Sequence, residues 1–295
     1  MILLTGATGT VGTRLLPRLI EAGRSLRVLV RDPQDLGASR VDVQLALGDL
    51  ADANSLRHST RGVDTVVHLA ATFRDQDRSG GSIEQINGLA TARLLRAAEQ
   101  AGAERFIYMS CLGADALSGS RFVRSKAAAE KDVLESDLAS TVISTSSIHA
   151  PDSIWERIVS GLSVLPVTTL PSGTLRAHVQ PVTAEDVAAA VFAEIARGAP
   201  DSTERPRRVE LAGDQATTQF SYLAGLAMRR HHRSVRLPLP LVEAKLRLLT
   251  PFIREGRLPT PDELEMLSIS LWSEKGSSDL RALDIEPTPV NPLTG

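Results

Sequence analysis

Between an apolar run at Ile2-Leu3-Leu4 and a segment of helical period lies Thr5-Gly6-Ala7-Thr8-Gly9-Thr10-Val11-Gly12. Glycine at every third position leaves the backbone bare, so its N–H groups can approach a pyrophosphate at the positive end of the following helix. The spacing is G-x-x-G-x-x-G, not G-x-G-x-x-G, and glycines alone would be weak evidence. A strand before and a helix after make the match strong, where an isolated run would be a glycine-rich turn. Gly6, Thr8, Gly9, Thr10, Val11 and Gly12 are the expected contacts. A second apolar run ends in Val30-Arg31-Asp32-Pro33, where an acid serves ribose hydroxyls and an arginine a 2′-phosphate. Arg31 comes first off the run, and its planar fork suits a phosphate; Asp32 argues the other way. The balance favours NADP(H) over NAD(H). Downstream, Gly48-Asp49-Leu50 is placed for the adenine side. His68-Leu69-Ala70-Ala71 is placed for the ribose, with His68 read as a packing residue and not as a catalyst.

The elements that must hold these residues alternate. Strands are expected at 2–4, 26–30, 43–47, 65–69, 106–109, 141–144 and 208–211, and helices at 10–22, 82–101, 122–134 and 183–196. In the last helix Thr183 is the expected N-cap, with Asp186 at N3. Such alternation implies right-handed crossovers and a parallel sheet covered on both faces. The expected fold is α/β, a Rossmann-like doubly wound parallel sheet. Residues 1–148 form its NAD(P)-binding half, and 149–295 a smaller substrate-facing half packed on the same sheet. Past Ala150-Pro151 the regularity breaks, with Pro166, Pro171 and Gly173 punctuating a loop-rich stretch. Helical segments follow near 219–230, 241–249 and 260–267, the last with Thr260 as N-cap and Pro261 at the first helical position. The tail from Glu286 reads as extended.

Charge excludes some partners. Basic residues number 33 and acidic 35, for a formal charge of −2, so neither a nucleic acid nor a membrane surface is an expected partner. Cys111 is the single cysteine, which fits a reducing compartment. No signal peptide and no long apolar stretch is seen, and the expected location is the cytoplasm. No metal is expected.

Taken together, these motifs resemble the short-chain dehydrogenase/reductase superfamily, most of all its extended and atypical branches. The shared features are the glycine spacing, Gly48-Asp49, the His68-x-Ala70-Ala71 run and Gln180-Pro181-Val182-Thr183-Ala184-Glu185-Asp186-Val187-Ala188. The resemblance covers nearly the whole chain and is strongest over the first 130 residues. It implies a helix-borne Tyr-x-x-x-Lys pair, with Tyr protonating the substrate oxygen and Lys holding the nicotinamide ribose. The i, i+4 spacing sets both on one helix face. Here that segment is Phe122-Val123-Arg124-Ser125-Lys126: the lysine is present, and a phenyl ring replaces the phenol. By the same resemblance Asn87 takes the family's structural Asn position, and the Ser position falls on Ser110 or Cys111. Ser146 joins the expected cofactor contacts.

Two functions follow from the missing tyrosine. One is an NADPH-dependent reductase of a small aromatic ketone, its proton coming from elsewhere. Ser125, His149 and Tyr108 are weak protein candidates. A phenolic hydroxyl beside the substrate carbonyl has a pKa near 10, like tyrosine, and an aromatic polyketide of angucyclinone type would carry one. The other function is a non-catalytic NADP(H)-binding regulator or assembly subunit. Atypical members of the family include both kinds.

Overall fold

A computed structural model describes residues 1–75, 81–165, 167–198, 206–254 and 256–293; Pro166 lies outside this set. The first half lays down six strands: β1 (Ile2–Thr5), β2 (Leu26–Val30), β3 (Gln44–Leu47), β4 (Thr65–His68), β5 (Arg105–Cys111) and β6 (Ala139–Thr145). Between them run α1 (Gly12–Glu21), α2 (Ala53–Ser59), α3 (Ala90–Gln100) and α4 (Arg121–Leu134). Beyond β6 come β7 (Ile148–His149), α5 (Ile154–Leu162), β8 (Val167–Pro171), β9 (His178–Val179), β10 (Val182–Thr183), α6 (Ala184–Ala196) and β11 (Arg207–Leu211). The remainder holds β12 (Thr217–Thr218), α7 (Gln219–Arg229), β13 (Arg233–Leu237), α8 (Leu239–Leu249), α9 (Pro261–Met266) and α10 (Ser278–Arg281).

Seven strands form one parallel sheet in the order β11-β6-β5-β4-β1-β2-β3. The chain runs outward from β1 to β3, then returns to β4 on the other side. That reversal opens a crevice at the carboxyl ends of β1 and β4, where doubly wound sheets bind ligands. Period-two alternation sends neighbouring residues to opposite faces. Leu4, Val28, Ile107 and Ile143 pack with Leu15 and Leu19 of α1 and Val187 and Val191 of α6. Leu3, Val66, Phe106 and Val142 pack against Leu94 of α3 and Ala129 and Val133 of α4. A third core joins Trp155 and Ile158 of α5 to Tyr222 and Leu226 of α7, Leu246 of α8 and Leu264 of α9. Because Phe122 and Cys111 belong to it, this last layer is built onto the site end of α4 and β5.

Three expectations are corrected. The stretch after residue 150 is not loop-rich: α5 occupies it, and β8 pairs in parallel with β13. The helix expected over 82–101 is interrupted, because a π-turn at Gln85–Leu89 precedes α3. Gly48-Asp49-Leu50 leads into α2, which was not expected and which Asp52 caps by accepting from the N–H groups of Asn54 and Ser55. Thr183 and Thr260 do cap their helices. Asp186 accepts from the backbone and hydroxyl of Thr288, at 2.8 and 2.9 Å, and so ties the tail to α6. No helix among the described residues is long and apolar enough to cross a membrane.

Candidate active site

A cavity of about 630 Å³ follows the crevice, walled by the glycine loop, the ends of β2, β4, β5 and β6, and by α4, α5 and α9. Its glycines do different things. Gly6 has φ +77°, and a Cβ there would stand 2.6 Å from the backbone nitrogen of Ala70. A Cβ on Gly12 would come within 2.1 Å of the Gly6 carbonyl oxygen. Around Gly9 the nearest atom is 3.4 Å away, an ordinary contact, so the fold itself does not require a glycine there. Val11, which precedes α1, provides no side-chain cap. The helix N-terminus therefore keeps its positive end for an anion, and these features suit a pyrophosphate.

At the adenosine end the adjacent rivals separate. Arg31 lines the cavity, its Nη1 4.0 Å from Asp49 Oδ2. Asp32 is turned away and accepts from the Gln34 N–H as the cap of a 3₁₀ turn. Asp49 and Leu50 line the wall, as do Leu69, Ala70 and Ala71. His68 does not. It is fully buried, and its Nδ1 and Nε2 lie 2.6 and 2.9 Å from the hydroxyls of Thr5 and Thr91.

At the other end α4 presents Phe122 and Lys126 to the cavity. Lys126 Nζ donates to the Met109 carbonyl at 2.7 Å and lies 4.7 Å from the centre of the Tyr108 ring. Burial pulls its pKa down to about 8. One of its three donors is engaged with Met109, so two remain for a ribose. Phe122 stacks on Phe73 at 4.2 Å and 13°, closing an apolar wall where a phenol would stand. Both Ser110 and Cys111 line the cavity. Burial pushes the Cys111 thiol up to about 12, so it stays protonated. The Ser110 hydroxyl is buried with no partner among the described residues.

One site assignment needs correction. Asn87 is not on the cavity wall: its side chain accepts from the Thr72 N–H and donates to the Thr72 carbonyl, both at 2.8 Å, and reaches Ser125 Oγ at 3.3 Å. It positions the loop after β4 and does not touch the reacting centre. Ser146 does line the cavity, but its hydroxyl donates to the Leu271 carbonyl and accepts from Gln180 N–H, so it braces the wall. The alternative acids also leave the site. His149 faces Tyr222 Oη at 3.0 Å, Ser125 donates to the Phe122 carbonyl, and Tyr108 is buried in the sheet. Neither tyrosine and none of the six histidines lines the cavity. Among the described residues no cluster of His, Cys, Asp or Glu is placed to hold a metal ion.

Sequence reasoning missed the far wall: Phe73 and Arg74 after β4, Trp155 and Arg157 on α5, and Glu263 and Met266 on α9. Glu263 is fully buried and receives Arg74 through two bonds of 2.9 Å, together with Arg157. The signals were the Ser153-x-x-Glu156 start of α5 and the Thr260-x-x-Glu263 box of α9, both typical helix openings. They mark helices, but not which distant helices meet.

The chain matches the family described as NAD(P)H-binding over residues 6–197. It is 28% identical to the NADH dehydrogenase [ubiquinone] 1 alpha subcomplex subunit 9, mitochondrial, of Arabidopsis thaliana, covering 96% of this chain and 73% of that one. It is 30% identical to a ceramide reductase of Caulobacter vibrioides over 64% of this chain and 60% of that protein. Among solved structures it resembles a new type of NADPH-dependent quinone oxidoreductase from Escherichia coli, with TM-score 0.68, 20% identity, and coverage of 100% and 98%. That likeness shows the fold alone. With a seven-stranded parallel sheet and a glycine loop at its switch point, the chain belongs to the NAD(P)H-binding family.

Proposed function

We propose that this protein is an NADPH-dependent ketoreductase that reduces an aromatic ketone, with the proton coming from a hydroxyl of the substrate itself. The observation that carries this reading is the wall beside Lys126: Phe122 stacked on Phe73, with no phenol or imidazole on the lining. NADPH would supply the hydride. The glycine loop, Arg31, Asp49 and Lys126 would hold it, Arg31 taking the 2′-phosphate. Phe122 and Phe73 offer a flat apolar surface to a fused ring system, and with Trp155 they keep water from the reacting face. A hydroxyl peri to the carbonyl is already hydrogen-bonded to the oxygen that needs its proton. An angucyclinone-like aromatic polyketide has this arrangement, and the lone buried Cys111 fits work in the cytoplasm.

The test is NADPH consumption with 1,8-dihydroxyanthraquinone and its methyl ethers. Methylation of the peri hydroxyls should slow turnover by about 10²–10⁴-fold, the weight of a general acid, and Phe122→Tyr should bring no large gain. Methyl ethers turned over at the parent rate would refute substrate-assisted transfer. So would a gain of roughly 100-fold or more in Phe122→Tyr.

A second reading, a nucleotide-binding subunit without catalysis, is favoured by one finding: the relative aligned over 96% of this chain carries the name of an NADH dehydrogenase subunit. NADPH binding with no turnover across a panel of hydroxylated quinones and ketones would select it.

A further inference from the structure

Charge is unevenly placed along the chain. Residues 229–257 hold eight of its 33 basic residues and only two of its 35 acidic ones. The whole-chain charge of −2, from which no membrane partner was expected, averages this region away. Arg229 and Arg230 both pair with one buried carboxylate, Glu156. Arg233 and Arg236 of β13, Arg247 of α8, and Arg254 and Arg257 beyond it are exposed.

Within this basic region α8 is apolar on two faces. Val242 and Leu246, four residues apart, are buried in the third core. Leu241 and Leu248 are 53% and 74% exposed, and with the exposed Ala244 between them they recur at i, i+3 and i+7, a second face of the same helix. Phe252 follows four residues on, 85% exposed at the end of the 3₁₀ turn (Thr250–Phe252) that continues α8. Arg247 stands beside Leu248, and Arg254 two residues past Phe252. Large apolar side chains gathered in the open with charged neighbours mark an interaction face. The face also adjoins the cavity. Just past it the Gly256 carbonyl receives Nη1 of Arg74, a lining residue, at 3.1 Å, and α9, which supplies Glu263 and Met266 to the lining, begins at Pro261.

We propose that this face docks on an anionic lipid bilayer. Leu241, Leu248 and Phe252 enter the headgroup region, while the exposed arginines pair with lipid phosphates. Apolar tips beside cations are what an interfacial helix presents, and no spanning helix is required. Each Lys or Arg held near an anionic surface adds to the attraction. A second copy of the chain suits the face less well, because a two-fold contact would set these arginines against their own mates. Docking brings the substrate end of the cavity beside the bilayer, where apolar fused-ring molecules partition. The surface stands whether or not such a ketone is the substrate.

The experiment is cosedimentation of the full chain with vesicles of phosphatidylcholine alone or of phosphatidylcholine and phosphatidylglycerol in equal parts. Wild type should bind the mixed vesicles and not the neutral ones, and high salt should weaken the binding. Arg247→Gln and Arg254→Gln should each weaken it about five-fold. The double variant Leu248→Ser, Phe252→Ser should weaken it on the order of 100-fold. These side chains are exposed and absent from the cavity lining, so circular dichroism and the Kd for NADPH should stay at wild-type values. Equal binding to both kinds of vesicle would overturn the proposal, as would full binding by the double serine variant. No binding to the mixed vesicles would also overturn it, and a solution dimer dissolved by the same double variant would then give the face to a second copy.

Discussion

At the scale of single residues, the three glycines of one motif answer to different constraints. Gly6 and Gly12 are required by the chain itself, since a Cβ would meet backbone at 2.6 and 2.1 Å. Gly9 is exposed, and its nearest neighbour is 3.4 Å away, so only a ligand would be obstructed there. Gly9→Val should therefore fold with normal circular dichroism and fail to bind NADPH, whereas Gly12→Val should lower the melting temperature outright. An unchanged NADPH fluorescence titration in Gly9→Val would show that the loop is not the site. Arg31 and Asp32 make a second contrast. Losing a charge-assisted bond to a phosphate costs about 1.5–3 kcal/mol, so Arg31→Ala should weaken NADPH roughly 10- to 100-fold and leave NADH nearly unchanged. Asp32→Ala should leave the ratio of the two affinities alone, because its carboxylate caps a turn. Equal losses of NADPH and NADH in Arg31→Ala would remove the 2′-phosphate assignment. Both residues were visible in the sequence; which one faces the ligand was not, because the direction of a side chain just past a strand depends on the turn that follows.

At the scale of elements, periodicity made the strands and helices around the cofactor loop legible, since each buries a continuous apolar face. The far wall was harder to see. The pairing of β8 with β13 brings Val167 beside Arg233, a contact across more than sixty residues with little apolar alternation to announce it. The π-turn at Gln85–Leu89 was hidden for a different reason: Asn87-Gly88 lowers helix propensity but does not by itself specify an extra residue per turn. The Asn87 amide grips both backbone groups of Thr72 and so sets where Phe73 and Arg74 stand. Asn87→Ala would leave two buried backbone groups unmet, at a cost on the order of 2 kcal/mol or more. Since the displaced loop belongs to the substrate wall, the KM for ketone should rise several-fold while the Kd for NADPH stays near wild type. A variant with unchanged ketone KM and altered NADPH affinity would return Asn87 to the cofactor side.

For the whole molecule, the sheet is held to its neighbours by one buried polar chain as well as by apolar packing. Thr91 donates its hydroxyl to the Asn87 carbonyl at 2.7 Å, so it must accept from His68 Nε2–H. His68 Nδ1 is then an acceptor for the Thr5 hydroxyl. This chain joins β1, β4 and α3, and burial keeps its imidazole neutral. Burial, and secondarily the Lys126 charge, push the pKa of His68 down to about 3, whereas an unfolded histidine titrates near 6.5. Between those values the unfolded state binds a proton that the folded state refuses, so stability falls as the pH is lowered through that window. The slope approaches about 1.4 kcal/mol per pH unit, or roughly 2 kcal/mol between pH 6.5 and 5. Urea midpoints measured across that range should show it, and His68→Asn, although less stable at pH 7, should lose this part of the slope. A variant that keeps the wild-type slope would place the acid-sensitive group elsewhere. Carboxylates are the first alternative. Glu84, held at about 2 chiefly by its hydrogen bonds with Arg121, gives up its contribution only below the ordinary carboxylate range, however, so a slope that begins near pH 6.5 separates the two.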